Sequence, residues 1–131
     1  MSELKLNHIG LTINDFADVQ NFYINILGFK KIREFNISSE LAKKIFDVEK
    51  DVLIVVLNNN YLTIELFCFE KIEPKYFSHI CLNVKNRNEF IEKIKRTNYH
   101  YFFIPRGNYD LLFIKDSSNN LFEIKEMERY S

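Results

Sequence analysis

The stretch LNHIGLTINDFADVQNFYINILGF, residues 6–29, decides the fold because a second stretch repeats its pattern. FSHICLNVKNRNEFIEKIKRTNY, residues 77–99, has the same short alternating strand followed by a helical segment. Apolar side chains at three- and four-residue spacing predict the two helices. They are Phe16, Val19, Phe22, Tyr23 and Ile26 in the first stretch and Phe90, Ile91 and Ile94 in the second. Asn14 or Asp15, and Asn86 or Asn88, are candidate N-caps, and Gly28 is the expected C-terminal cap.

Three further strands follow in each half, so each half is predicted to be β-α-β-β-β. They cover residues 30–35, 51–57 and 61–69 in the first half, and 101–105, 109–115 and 120–126 in the second. The segment SSELAKKIFD, residues 38–47, predicts an additional short helix in the first half only. We therefore expect a single domain built from a duplicated unit, with halves at 1–69 and 76–131 and a polar joint at 70–75.

The composition excludes several classes of function. The 131 residues include 18 Lys+Arg and 18 Asp+Glu, and this neutral balance provides neither a nucleic-acid footprint nor a polybasic membrane patch. The longest aliphatic run, residues 52–57, is too short to span a bilayer, and no signal peptide is visible, so we expect a cytoplasmic protein. Three glycines form no phosphate-binding loop, and two cysteines without CxxC spacing form no zinc knuckle.

Four strands place metal-binding residue types opposite their apolar faces. Because strand side chains alternate, HIGLTI and HICLNV present His8 and His79 on the polar face, while LTIELF and NLFEIKE present Glu65 and Glu123. If the two halves face each other, these side chains converge. Two imidazoles and two carboxylates suit a borderline divalent ion such as Zn, Ni, Co, Mn or Fe, and disfavour an all-oxygen calcium site.

Each of these residues also has an ordinary interpretation. A single histidine is more often a locally hydrogen-bonded side chain, and Glu123 has Lys125 beside it as a surface ion-pair partner. Cys81 lies on the same face, where a space-filling thiol is a simpler interpretation than a ligand or nucleophile. Thr12, Thr63 and Asn83 share that face and are candidate substrate-binding residues. Four cations are candidate anion contacts or solvated surface: Arg33, Arg106, Lys115 and Lys125.

The chain resembles the vicinal oxygen chelate superfamily, which includes glyoxalase I, extradiol dioxygenases and fosfomycin- and bleomycin-resistance proteins. The resembling segments are HIGLTI, FYINILGFKKI, IELF, SHICLNV and KDSSNNLFEIKE, and together they cover nearly the whole chain. The last is similar to the family's D-P-x-G-N-x-x-E segment and keeps Asp116, Asn120 and Glu123. Ser117 and Asn119 replace the Pro and Gly of that segment, which a turn can accept.

This resemblance implies an α+β fold of two paired βαβββ modules that form a cupped, barrel-like mixed sheet with helices outside. It implies metal ligands at His8, Glu65, His79 and Glu123. Glutamate at both carboxylate positions resembles glyoxalase I most closely. The implied reaction is a lyase or isomerase step that stabilises the enediolate of a small carbonyl substrate, with Glu65 or Glu123 as the base.

Two alternatives remain open from the sequence. An iron-dependent dioxygenase would use two histidines and one carboxylate, but a fourth ligand would crowd its open positions. Glu65 likewise argues against a thiol transferase of the fosfomycin-resistance kind, whose site resembles a three-ligand one. A non-catalytic protein that binds a small molecule such as an antibiotic would leave the four residues without a role.

The modules are expected to pair within one chain or across a homodimer.

Overall fold

The computed structural model describes residues 6–70 and 79–127. The chain divides into two compact units, residues 1–72 and 73–131, which we call module one and module two. Each contains one four-stranded mixed sheet. No helix within the described residues has the length and apolar composition needed to cross a bilayer. Apart from Glu70, the predicted joint at 70–75 lies outside the described residues.

Module one contains a sheet, a π-helix and an inserted α-helix. Its elements are β1 (Ile9–Ile13), the π-helix (Val19–Ile24), β2 (Lys30–Ile37), α1 (Ser39–Phe46), β3 (Val52–Asn58) and β4 (Thr63–Cys68). The strand order is β1-β4-β3-β2. The β1–β4 pair is parallel and the other two pairs are antiparallel.

Module two repeats this topology without the inserted helix. Its elements are β5 (Ile80–Val84), α2 (Arg87–Lys95), β6 (Tyr101–Arg106), β7 (Tyr109–Lys115) and β8 (Leu121–Glu126). The strand order is β5-β8-β7-β6, again with a parallel first pair. The predicted fold of two βαβββ modules is therefore confirmed.

The first predicted helix is present, but most of it is π-helical. Asn25 N–H donates to the carbonyl of Gln20, five residues earlier, which is the π-helical spacing. Asp15 Oδ1 accepts from Ala17 N at the entry, and Gly28 takes the left-handed φ of +81° at the exit, as a C-terminal glycine cap does. Phe16, one of the apolar residues whose spacing predicted this helix, lies just before the helical turn. Its side chain is 53% exposed because the helical turn begins after it.

Both faces of the first sheet carry buried apolar side chains. On the face opposite Glu65, Ile13, Ile64 and Leu66 are fully buried, and the buried side chains of the π-helix provide the cover. On the face that bears Glu65, α1 inserts Ala42 into an apolar cluster. The buried members of this cluster are Ile37, Ala42, Val52, Ile54 and Val56. The inserted helix therefore packs on the face opposite that of the π-helix.

The second sheet buries one face under α2. Asn86 is the N-cap of this helix and its Oδ1 accepts from Glu89 N at 3.0 Å, which confirms one of the two predicted caps. Phe90 and Ile94 are the buried residues of α2. They cover a sheet face whose side chains are almost fully buried: Leu112, Ile114, Phe122 and Ile124.

Two turns define where the last strand of each module begins. In module one, Asn59 Oδ1 accepts from Tyr61 N and Leu62 N, so β4 begins at Thr63. Tyr61 was predicted to open that strand, but it lies in the turn and is 90% exposed. In module two, Asn119 takes the left-handed φ of +66° that was expected of an asparagine in such a turn.

Candidate metal centre

The parallel β1–β4 pair brings together the first predicted imidazole and carboxylate. Gly10 lies opposite Glu65 in the register, and His8 precedes β1 on the same face. His8 Nε2 lies 3.5 Å from Glu65 Oε1, with the side chains 40% and 20% exposed. Both groups are therefore close together and accessible to a small ion.

A neighbouring side chain sets the orientation of the His8 ring. His8 Nδ1 lies 2.7 Å from Asn7 Oδ1. An amide oxygen only accepts hydrogen bonds, so Nδ1 carries the proton and donates it. In the neutral ring, Nε2 then presents its lone pair towards a carboxylate oxygen of Glu65. Two lone-pair groups facing each other at this distance suit a cation bound by both.

The β5–β8 pair repeats the arrangement in module two. Cys81 lies opposite Glu123, and His79 precedes β5. His79 Nε2 lies 3.7 Å from Glu123 Oε1, and the Glu123 side chain is only 14% exposed. Lys125 Nζ lies 3.8 Å from the second carboxylate oxygen, Oε2. The predicted surface ion pair and the predicted imidazole–carboxylate pair thus share one glutamate.

A buried turn leads directly into the strand that carries Glu123. Asp116 Oδ1 accepts from Ser118 N and Asn120 N, and Asn120 Nδ2 donates to Asp116 Oδ2 at 2.7 Å. Asp116 and Asn120 are each 4% exposed. Because these bonds satisfy buried polar groups, they hold the start of β8 in place. Asp116 and Asn120, two of the three residues shared with the family segment, thus have a structural role here.

The surroundings of the two pairs differ. In module one, the Phe67 ring packs over Gly10: a Cβ added to Gly10 would lie 2.8 Å from Phe67 Cε2. In module two, the Phe113 ring packs edge-on against His79, with centroids 6.5 Å apart. Phe113 is also the β7 partner of Glu123. It therefore adjoins both members of the second pair.

The three predicted substrate-binding residues lie on the same sheet faces as the glutamates. Thr12 is opposite Phe67, Thr63 is opposite Asn58, and Asn83 is opposite Lys125. Their alternation with apolar neighbours confirms the predicted faces of β1, β4 and β5. Their part in binding a substrate stays a prediction.

The two cysteines are free thiols. Burial, with a smaller contribution from the Glu34 charge, raises the pKa of Cys68 to about 11. Burial, and then the Glu123 charge, also raises the pKa of Cys81, while Lys125 opposes the shift. Both side chains are therefore thiols at neutral pH, and Cys81 lacks the lowered pKa of an activated nucleophile.

The donor set and its spacing fit a divalent ion of the predicted kind. Ligand atoms bound about 2.1 Å from a tetrahedral Zn²⁺ lie about 3.4 Å apart, which is close to the spacing in both pairs. Within residues 6–70 and 79–127, however, no three His, Cys, Asp or Glu side chains form one metal-binding group. Each module thus brings together one imidazole and one carboxylate.

Sequence reasoning missed two neighbours of the histidines. Asn7 precedes His8 directly in the chain, so the sequence already offered it as a candidate hydrogen-bond partner of the imidazole. Phe113 is 34 positions from His79 (113 − 79 = 34), and only the strand register of module two reveals its role.

Comparison with known proteins identifies the family. The family model of the Glyoxalase/Bleomycin resistance protein/Dioxygenase superfamily matches residues 5–124. No curated protein matches the sequence significantly.

Solved structures share the fold at low sequence identity. The fosfomycin resistance protein FosX from Listeria monocytogenes has a TM-score of 0.73 at 19% identity, over 97% of this chain and 96% of that one. A glyoxalase family protein from Bacillus cereus has a TM-score of 0.74 at 13% identity, over 96% and 95%. FosX from Mesorhizobium loti has a TM-score of 0.68 at 12% identity, over 95% and 92%. The chain thus belongs to the Glyoxalase/Bleomycin resistance protein/Dioxygenase superfamily.

Proposed function

We propose that His8, Glu65, His79 and Glu123 bind one divalent ion and that the protein is a metal-dependent lyase or isomerase of the glyoxalase I type. The facing lone pairs of His8 Nε2 and Glu65 Oε1, 3.5 Å apart, carry the proposal. The same pair recurs at the same register in module two, which supports a four-ligand site. The two modules would contribute to it within one chain or across a homodimer.

The proposed chemistry is proton removal next to a carbonyl. When bound, a divalent ion supplies Lewis acidity that stabilises negative charge on the oxygens of the substrate. Glu65 or Glu123 acts as the base, because each is a partly buried carboxylate at the site. The two candidate bases have different neighbours: Lys125 Nζ lies 3.8 Å from Glu123 Oε2, whereas the β3 partner of Glu65 is the apolar Val56.

Metal content of the purified full-length protein is the first test. We expect about one Zn, Ni, Co, Mn or Fe ion per site after dialysis against each ion, and its loss in His8→Ala and His79→Ala. His100→Ala is the matched control, since His100 is the remaining histidine and packs against Phe102. Absence of bound metal in every dialysis, or equal loss in the control, would exclude the proposed site.

Turnover of the hemithioacetal of methylglyoxal and glutathione tests the reaction. We expect metal-dependent turnover that Glu65→Gln and Glu123→Gln reduce by unequal factors, because only one carboxylate is the base. If the less active variant still binds metal, the glutamate replaced in it acts as the base and is not essential as a metal ligand. Metal binding without turnover would contradict the proposed glyoxalase I activity but not the proposed metal site.

A second candidate is action on a phosphonate antibiotic. The Listeria protein was solved with Mn(II) and 1S,2S-dihydroxypropylphosphonic acid, at a TM-score of 0.71 and 19% identity to this chain. Consumption of fosfomycin by the Mn(II)-loaded protein, with and without glutathione, tests this activity. Consumption of oxygen by the anaerobically iron-loaded protein with a catechol tests the dioxygenase alternative. Tight binding of fosfomycin or bleomycin without turnover would favour a binding protein.

A further inference from the structure

On the face of module one that bears Glu65, the apolar cluster under α1 covers the side of β2 and β3, while Gly10 and Thr12 of β1 are exposed. Phe67 fills the space above Gly10, and Phe46 of α1 packs edge-on against it with centroids 5.0 Å apart. Beyond them lies the apolar cluster around Ala42. A ligand at the His8–Glu65 pair would therefore meet packed side chains in this direction along the sheet.

Within residues 79–127, no helix covers the corresponding face of module two. α2 covers the opposite face and is the only helix that the structure describes in this module. Beyond Glu123 on the same face, Asn83 of β5 pairs with Lys125 of β8, and Leu111 of β7 pairs with Ile104 of β6. Ile104 is 42% exposed, and Tyr109, further along the same face, is 60% exposed.

This face combines an apolar surface with positive charge. Phe113 and Phe102 stack beside Glu123, with centroids 5.3 Å apart and an interplanar angle of 18°. Lys115 Nζ lies 5.9 Å from the Phe102 centroid, and Lys125 lies beside Glu123. We call the set Asn83, Phe102, Ile104, Leu111, Phe113 and Lys125 the module-two strip.

The partner of Lys125 depends on what Glu123 binds. Without a metal, the Lys125 ammonium adjoins Glu123 Oε2 at 3.8 Å. A divalent cation on this carboxylate would neutralise its charge and repel the ammonium group. Lys125, whose side chain is 58% exposed, would then be available to a new anion beside the metal.

We propose that the module-two strip binds the substrate and that this substrate is an organic acid with an apolar body. Its carboxylate pairs with Lys125, and its body packs on Phe113, Leu111 and Ile104. The inference rests on the proposed function, because a metal on Glu123 is what releases Lys125. Beyond the proposed function, the inference specifies which module binds the substrate and to which chemical class the substrate belongs.

Calorimetric titration of the Zn(II)-loaded protein tests the inference with three probes. Hydrocinnamate carries a carboxylate and an apolar body, hydrocinnamyl alcohol lacks the charge, and propionate lacks the ring. We expect hydrocinnamate to bind about tenfold more tightly than either of the others. Preference for the alcohol, or equal binding of all three, would overturn the assigned substrate class.

Matched variants locate the binding surface. Lys125→Met should weaken hydrocinnamate binding about tenfold, while Lys95→Met, which removes a lysine paired with Glu92 on α2, should not change it. Ile104→Ser should weaken binding, while Ile45→Ser, at a 58% exposed position on α1, should not. Binding insensitive to Lys125→Met would place the carboxylate elsewhere and overturn the proposal.

Two controls separate this inference from the proposed function. If metal binds but hydrocinnamate does not, the inference fails and the metal site stands. If no metal binds to the wild type, both fail. A change of molecular mass in solution caused by Ile104→Ser would show that the strip is a subunit interface, which also overturns the proposal.

Discussion

At the scale of single residues, the two candidate histidines are positioned by different means. His8 donates a hydrogen bond to Asn7, whereas His79 packs against the Phe113 ring. A hydrogen bond selects one tautomer of an imidazole, while an aromatic contact restrains the ring without selecting one. The residue types at the site were predictable from strand alternation, but these contacts depend on side-chain positions that alternation does not specify.

Asn7→Ala should release the tautomer of His8. We expect the neutral ring to populate both tautomers in the metal-free protein, and metal affinity to fall about tenfold. Nitrogen chemical shifts of the histidine rings report the tautomer, and titration with Zn(II) reports the affinity. Asn88→Ala, at an exposed position of α2, is the control. An unchanged His8 tautomer would contradict the role assigned to Asn7.

The two thiols should differ in reactivity towards a disulfide reagent. Cys81 is exposed and should react first, as measured in Cys68→Ala. Cys68, measured in Cys81→Ala, should react slowly near neutral pH because burial raises its pKa to about 11. A raised pKa keeps a thiol protonated to higher pH, so its rate should climb as the pH approaches that value. Equal rates near neutral pH would refute this order.

At the scale of elements, Gly10 and Cys81 occupy equivalent positions in β1 and β5. Each lies opposite the module's glutamate, and at Gly10 the Phe67 ring occupies the space that a Cβ would need. Gly10→Ala would place a methyl group 2.8 Å from Phe67 Cε2. We expect the forced shift of Phe67 to cost about 1–3 kcal/mol.

Cys81→Ala is the matched control for Gly10→Ala, since Cys81 is exposed and already has a Cβ. Its effect on the free energy of unfolding should stay within about 0.5 kcal/mol. Urea unfolding of both variants provides the comparison. Equal stabilities would show that the Phe67 contact with Gly10 carries no packing constraint.

The order of elements was predictable because apolar periodicity changes between strands and helices. The spacing through Phe22 and Ile26 indicated a helix correctly, but it did not reveal π-helical hydrogen bonds or the exposure of Phe16. A π-helix differs from an α-helix by one residue per hydrogen-bonded turn, which a short apolar pattern does not resolve. The inserted helix was predicted, yet the sheet face that it covers depends on tertiary packing.

At the scale of the whole molecule, the two modules differ in how much apolar side-chain surface covers their sheets. In β3, Val52 and the run from Ile54 to Leu57 are buried, whereas β7 buries Leu112 and Ile114. We expect amide hydrogens of β3 to exchange more slowly than those of β7, after correction for intrinsic rates. Hydrogen exchange followed by NMR measures both strands. Faster exchange in β3 would contradict this order.

The repeat itself was visible at this scale, and it predicted the residue types of the candidate site. His8 and Glu65 meet in module one, and His79 and Glu123 meet in module two, as equivalent positions in equivalent strands require. Divergence between the repeats was harder to predict. The inserted helix and Phe67 cover part of one sheet face, and a repeat pattern carries no information about that difference.

The inserted helix α1 also has a consequence for how the protein can change. Substitutions in the apolar cluster under α1 disturb a packed interior, so most of them should reduce the yield of folded protein. Substitutions along the face of module two that bears Glu123, such as at Ile104 or Tyr109, touch solvent and should be accepted. A library of variants randomised at such positions should contain folded proteins with altered substrate preference. The two modules should therefore differ in how readily their glutamate-bearing faces accept substitutions.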